Sequence, residues 1–267
     1  MLRIDGLSVK ARNGTLLLDG ASLAVGSGHI IGLTGASGSG KTTLLKSIAG
    51  ILDKSCAVIK GNIFVDNKDI SKLDTRERRE LCGKTIGFIP QNPMTAFDPR
   101  VKIGTQMRET LCIRLGISKS DADDLSTEKL TTFNLKDCNR ILRSYPGQLS
   151  GGMLQRIAVA LMLALRPKYI LADEPTSALD EDNREILTRI LKKQKKETGI
   201  LFISHDVEAL SVLCENVFVM EHGKITETGT TEKLLSAPEQ KWTSAFAAAH
   251  KKMEERSFIW TEYKLNA

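Results

Sequence analysis

The chain has 267 residues, 41% of them hydrophobic and 26% charged, which is enough apolar material for a sizeable core in one large or two small domains and excludes a disordered protein. Its five cysteines, Cys56, Cys82, Cys112, Cys138 and Cys214, are odd in number and form no C-x-x-C pair, which argues against a disulfide framework or a zinc or iron–sulfur site and for reduced thiols in a cytoplasmic protein. The net charge of +6 is spread along the chain, its densest run Lys192-Lys193-Gln194-Lys195-Lys196 reading as a solvated helix end; Met1 to Gly6 has no signal-peptide core, and the longest apolar run, Ile157 to Leu165, is far short of the ~20 residues of a membrane span.

From Leu2 to Val25 two strand-like runs flank the turn signal Asn13-Gly14, which predicts an antiparallel sheet. The apolar run Ile30-Ile31-Gly32-Leu33 then reads as a strand, and Leu44 to Ile48 as a helix stopped by Gly50. Between them lies Gly35-Ala36-Ser37-Gly38-Ser39-Gly40-Lys41-Thr42-Thr43, which fits G-x-x-x-x-G-K-[ST] in the strand–loop–helix context that the motif needs. Glycines let successive backbone N–H groups turn inward around a phosphate, and the helix that follows aims its free amides and positive dipole end at the same anion. In such a loop Lys41 reaches the β- and γ-phosphates of a nucleotide and the Thr42 hydroxyl ligates Mg²⁺. A Rossmann loop would need glycine at the third position after Gly38 and Gly40, which here holds Thr43.

Val58 to Val65 returns to strand character, Asp74 to Leu81 is a charged helix, and Thr85 to Ile89 is a short buried strand that delivers Gln91. From Ile103 to Leu165 helical spacing takes over, interrupted by Tyr145-Pro146-Gly147, as expected of a helical insertion into an α/β core. Inside it, Leu149-Ser150-Gly151-Gly152-Met153-Leu154-Gln155-Arg156 offers a hydroxyl and two glycines at a helix start, a second anion-binding surface. The strand Tyr169-Ile170-Leu171-Ala172 ends in Asp173-Glu174, about 130 residues after the phosphate loop. Asp173 at a strand end can hold Mg²⁺ through water, while Glu174 can accept a proton from, or orient, an attacking water. A helix over Arg184 to Glu197, the strand Ile200 to Ile203 and a hairpin of Asn216 to Met220 with Lys224 to Thr228 complete a mostly parallel sheet.

These segments together resemble the nucleotide-binding subunit of an ABC transporter over roughly residues 1 to 250. The signature sequence of that family matches at Leu149 to Gln155, with Met153 where Gln is commoner; the Q-loop matches at Gln91, the D-loop at Ser177-Ala178-Leu179-Asp180, and the switch histidine at His205 in Ile203-Ser204-His205-Asp206. The resemblance implies an α/β fold with a P-loop NTPase (RecA-like) core over residues 1–95 and 166–230. That core carries an N-terminal antiparallel β subdomain, an inserted α-helical subdomain over 96–165 and a C-terminal helical tail over 231–267. It implies ATP and Mg²⁺ as ligands, with Glu174, His205 and Lys41 catalytic and Thr42, Gln91 and Asp173 at the metal. The loop Gly35 to Thr43 and Gln91 would hold the nucleotide. Ser150, Gly151, Gly152 and Asp180 would act across a head-to-tail dimer.

Gln91 to Pro99 and Ser150 to Arg156 look more narrowly like the peptide and nickel importer branch, and Met153-Leu154 like its D-type subunits for nickel or metal chelates; the tail Ala237 to Phe246 is similar to that branch's post-core segment. The absence of cysteine after Cys214 favours metal over peptide. This branch implies two transmembrane permease subunits, a second and different ATP-binding subunit, an extracytoplasmic substrate-binding protein reached indirectly, no nucleic acid, and a peripheral place on the cytoplasmic side of the cell membrane. A soluble ATPase of this type acting on nucleic acid or ribosomes would need a coiled-coil insertion or tandem domains that do not fit in 267 residues. The alternative, a catalytically silent partner subunit, usually loses Glu174 or His205, and both are present here, while the Met153 signature and the missing adenine aromatic keep that alternative open. The family usually stacks adenine on an aromatic near Ala11; Val9 to Asn13 has none, and the guanidinium plane of Arg12 is the candidate in its place.

Overall fold

The computed structural model describes residues 1–252. Two ten-residue strands, β1 (Leu2–Ala11) and β2 (Leu16–Val25), form the expected antiparallel pair, and Gly14 takes φ 88° in the turn between them. β1 also pairs antiparallel with β4 (Cys56–Val65), and a two-residue β5 (Lys68–Asp69) closes this sheet in the order β2-β1-β4-β5.

A second sheet of six strands runs in the order β10-β9-β3-β8-β7-β6. Its members are β3 (Ile30–Thr34), β6 (Ile86–Ile89), β7 (Tyr169–Asp173), β8 (Gly199–Ile203), β9 (Asn216–Glu221) and β10 (Lys224–Gly229). All neighbours are parallel except the β9–β10 hairpin. β3, β7 and β8 are buried on both faces, which is why they read as unbroken apolar runs rather than alternating ones. The alternation is present in what each residue packs against. Ile30, Ile170, Ala172 and Phe202 join one core, while Ile31, Leu33, Tyr169, Leu171 and Ile203 join the other, shared with the antiparallel sheet and α1 (Lys41–Ala49).

The segment from Ile103 to Leu165 is helical as expected, and it divides into α3 (Ile103–Leu115), α4 (Lys119–Thr132), α5 (Cys138–Arg143) and α6 (Gly151–Ala164). Its breaks are written in short polar residues: Gly116 ends α3 at φ 69°, and Ser118, Asp137 and Ser150 cap the next three helices by accepting from backbone amides. The helix α2 (Thr75–Leu81) begins with a full capping box between Asp74 and Glu77. Sequence periodicity placed one helix start too late: α7 (Glu181–Gln194) begins three residues before Arg184, because Asp180 caps it through the Asn183 amide at 2.9 Å. The periodicity also missed α8 (Val207–Leu213), a two-turn helix capped by Asp206. Of the expected tail, α9 (Thr231–Ser236) and helical residues 241–252 are described; residues 253–267 lie outside the described residues.

Candidate active site

The phosphate loop is packed from behind and open in front. At Gly35, φ 140°, an added Cβ would sit 2.0 Å from the Met220 carbonyl oxygen, and at Gly40, φ 108°, 2.7 Å from that of Leu17. At Gly38, φ 76°, nothing lies within 4 Å. The β9–β10 turn fastens the loop, the Gly223 amide donating to the Ser39 carbonyl at 2.9 Å. Gly40 caps α1 with no side-chain oxygen, so the leading amides of α1 stay available to an anion.

Lys41 is buried within this loop and donates to the carbonyls of Gly35 (2.7 Å) and Ala36 (2.8 Å). Burial pulls its ammonium below the ordinary lysine value, and the carboxylates of Glu174 and Asp173 push the other way. A desolvated cation held by neutral oxygens of its own loop, the two carbonyls and the Ser39 hydroxyl at 3.5 Å, fits a site that awaits a polyphosphate. Thr42 donates its hydroxyl hydrogen to Asp173 Oδ2 at 2.8 Å, which leaves the oxygen's lone pairs for a cation. Asp173 is itself buried, and desolvation raises its carboxyl above the ordinary aspartate value. Hard oxygen donors in small number, one of them a carboxylate short of counter-charge, suit Mg²⁺.

Glu174 stands next in the chain with φ 45°, a left-handed conformation that a side chain rarely adopts. Its amide donates to the Ile203 carbonyl (3.1 Å), and its own carbonyl accepts from the Ser177 amide (3.2 Å) and hydroxyl (2.9 Å), so the strained backbone is held from both sides. The carboxylate that results sits between two groups delivered by other strands. Gln91 Nε2 donates to Oε2 at 2.8 Å, which leaves the Gln91 amide oxygen for a cation, and His205 Nε2 lies 3.0 Å from Oε1. Burial and the nearby Lys41 charge lower the His205 pKa below its ordinary value, against an upward pull from Glu174. A cleft of about 550 Å³ opens beside this cluster, lined by Thr42, Gln91 and Asp173 on one side and by Phe97, Ala158 and Met162 on the other.

The structure therefore gathers Lys41, Thr42, Gln91, Asp173, Glu174 and His205 at the C-terminal ends of β3, β6, β7 and β8. It does not bring the remaining expected residues there. Ser150 caps α6 by accepting from the Met153 amide at 3.2 Å, Gly151 has open space around it, and a Cβ on Gly152 would lie 3.0 Å from the Ala178 carbonyl. Asp180 is occupied by the α7 cap. Among the described residues none of these four hydrogen-bonds to the phosphate loop. Arg12 is exposed on the β1–β2 turn, anchored by its own amide to the Ser55 carbonyl at 2.7 Å. Two residues near the cluster went unnoticed in the sequence: Arg184, whose Nη1 lies 3.3 Å from Asp206 Oδ2, and Gly223 behind the loop. Arg184 follows Asp180 by one helical turn, the only signal that could have drawn attention to it.

A strand–loop–helix nucleotide cradle, a strand-end carboxylate pair and a helical insertion that opens on a capped serine define the ATPase class to which the chain turns out to belong. The family described as ABC transporter matches residues 18–177, and the chain belongs to it, as an ATP-binding and ATP-hydrolysing subunit. It is 36% identical over 241 residues to a metal-staphylopine import system ATP-binding protein, CntD, of Staphylococcus aureus, covering 90% of this chain and 89% of that protein. With the dipeptide transport ATP-binding protein DppD of Escherichia coli it shares 33% identity over 254 residues, 93% of this chain and 78% of that protein. Among solved structures it is similar to the dimeric, post-hydrolysis ATP-binding cassette MJ0796 bound to ADP and Pi, with a TM-score of 0.77 and 26% identity over 86% of this chain and 99% of that one.

Proposed function

We propose that this subunit hydrolyses ATP within a dimer of ATP-binding subunits to drive uptake of a metal chelate or a small peptide through two membrane permease subunits. The observation that carries the proposal is the Glu174 carboxylate, strained into place and held between Gln91 and His205, one residue from the Asp173–Thr42 pair. Lys41 and the loop amides neutralise charge on the transferring phosphoryl group. Thr42, Asp173 and Gln91 would hold Mg²⁺, which would supply charge neutralisation at the phosphates when bound. Glu174 orients and deprotonates the attacking water, and His205, whose pKa burial and the Lys41 charge lower, contacts the terminal phosphate.

Each site is completed in trans. Ser150, Gly151 and Gly152 open α6 with no hydrogen bond to their own chain's phosphate loop, so a second subunit must bring an equivalent helix start, with its positive dipole end and the glycine amides that the Ser150 cap leaves free, against the bound nucleotide. The Met153-Leu154 signature supports a second, different ATPase chain as that partner, and no helix among the described residues is long and apolar enough to cross a membrane, in keeping with a peripheral subunit held by permeases on the cytoplasmic side. The names of the relatives support metal chelate or dipeptide as cargo, and the resemblance of Gln91 to Pro99 and Ser150 to Arg156 to the peptide and nickel importer branch supports an extracytoplasmic binding protein as its source.

The test is ATP turnover against protein concentration with Mg²⁺ present, for the chain alone and with a second ATPase subunit added, using Glu174→Gln as control. We expect Glu174→Gln to abolish turnover and to retain ATP-induced dimerisation. Unchanged hydrolysis in that variant would sink the proposal, and turnover by the chain alone that rises with the square of its concentration would replace the heterodimer with a homodimer.

A further inference from the structure

We infer that Arg184 is a positioning residue for His205, and that through it the start of α7 sets the geometry of the active site; this rests on the ATPase reading above. His205 is 43% exposed, and its Nε2 meets the carboxylate it serves at 3.0 Å. What fixes it is the backbone that follows. The Asp206 amide donates to Ser204 Oγ at 3.0 Å, Asp206 Oδ1 accepts from the Ala209 amide at 3.2 Å, and Asp206 Oδ2 lies 3.3 Å from Arg184 Nη1. The first two bonds are local to the turn and move with it. The third reaches another helix, and it is the one side-chain tie between α7 and this turn among the described residues.

The surroundings place this pair at the site rather than on a bland surface. A cavity of about 160 Å³ is lined by Glu174, Ser177, Ser204, His205, Arg184 and Asp206, so the guanidinium borders the same space as the two reacting side chains. On the far side a second cavity of about 190 Å³ is lined by Arg184 and Asp206 again, with Glu181, Glu185 and Glu208. The ion pair is the wall between the two. Arg184 Nε is buried with no hydrogen-bond partner among the described residues, so the guanidinium is packed into this position rather than splayed into solvent.

The mechanical consequence follows from chain order. Asp180 caps α7, and Arg184 lies one turn further along the same rigid helix. In the proposed dimer Asp180 meets the other subunit, so a displacement of α7 on dimer closure is passed by Arg184 to Asp206 and to the imidazole one residue before it. The second subunit thereby brings His205 onto the phosphate when the dimer has closed.

The test compares Arg184→Met, Asp206→Asn, the double variant and Arg184→Lys, in the assembly that supports wild-type turnover. An ion pair whose side chains keep 39% and 23% of their surface in solvent contributes little to stability, and Met keeps the apolar packing of the Arg184 stem, so Arg184→Met should keep its melting temperature within about 2 °C. We expect Arg184→Met to lower kcat about five- to tenfold with KM for ATP within about twofold, since misplacing a reacting group slows the chemical step without weakening ground-state binding. The double variant should fall no further than the single ones, because all three remove the same tie. Arg184→Lys should restore most of the rate, since only Nη1 touches Asp206. Wild-type kcat in Arg184→Met, or losses that multiply in the double variant, would overturn the inference while leaving the ATPase reading intact. Turnover that survives Glu174→Gln would overturn both.

Discussion

Two glycines three residues apart in the phosphate loop carry different obligations. Gly35 is pressed against the Met220 carbonyl and Gly38 faces open space, although both have positive φ. Alanine at Gly38 meets only the conformational penalty of about 1–2 kcal/mol. At Gly35 it meets that penalty and a Cβ overlapping backbone, so Gly35→Ala should lose about 2 kcal/mol more stability than Gly38→Ala. Denaturant midpoints of the two variants measure the difference, and equal losses would mean that β9 does not pack against the loop as described. The motif's glycines are visible in the sequence because the loop's conformation is local. Which of them also carries a packing load is not, because Met220 lies on a strand 185 residues further on.

Most helix starts in this chain follow from short polar side chains, with Asp74, Ser118, Asp137, Ser150, Asp180, Asp206 and Thr230 each accepting from an amide of the first turn, whereas α1 and α3 begin at Gly40 and Lys102 with no side-chain cap. Residues 241–252 are started differently. The amides of Glu239 and Gln240 donate to the two oxygens of Glu227 at 2.9 and 3.2 Å, a buried carboxylate on β10, while Trp242 packs on the core and stacks on Phe246 with centroids 5.0 Å apart. A carboxylate twelve residues away thus takes the place of a capping side chain. Glu227→Ala should destabilise the protein by about 1–3 kcal/mol and speed amide exchange over residues 239–246 ahead of global unfolding. Unaltered exchange there would show that the tail is held by Trp242 instead. From sequence Glu227 looks like a solvent-facing hairpin residue, since its partners come from a segment whose docking no local pattern encodes.

The two sheets are joined at Asp66, in the turn between β4 and β5. Its carboxylate accepts from the Met1 ammonium (2.8 Å), Lys168 Nζ (2.9 Å) and the Tyr169 hydroxyl (2.8 Å), the last two at the start of β7. These donors, the Met1 ammonium foremost, hold the carboxyl well below its ordinary value of 3.8. As pH falls through 3.8 the unfolded chain takes up the proton first, so the contribution of Asp66 is complete above that pH and is lost progressively below it. Burial and the same carboxylate raise the Tyr169 hydroxyl above its ordinary value of 10.0, so its contribution is complete below pH 10 and fades as pH rises further. Urea midpoints followed from pH 6 to pH 2 should fall less steeply in Asp66→Asn than in the wild type, and the variant should start lower at pH 6. Parallel curves would remove Asp66 from the acid response. Its half exposed side chain keeps the effect modest, because solvent screens the charges.

Most strands and helices, the phosphate loop, the serine at the start of α6 and the family were legible along the chain, because each depends on residues within a turn or two of one another, whereas the two-turn α8 was too short to show a period. The active site was legible as a set of residues but not as an arrangement. Thr42 and Asp173 are 131 residues apart, and Gln91 and Glu174 are 83 apart, so their pairing exists only once β3, β6, β7 and β8 lie side by side with their C-terminal ends together. The same packing put Arg184 against Asp206, Met220 behind Gly35 and Glu227 under the tail. Side-chain chemistry of a segment is set by its own residues, whereas a hydrogen bond between strands depends on sheet order and register, which the burial of whole faces selects collectively.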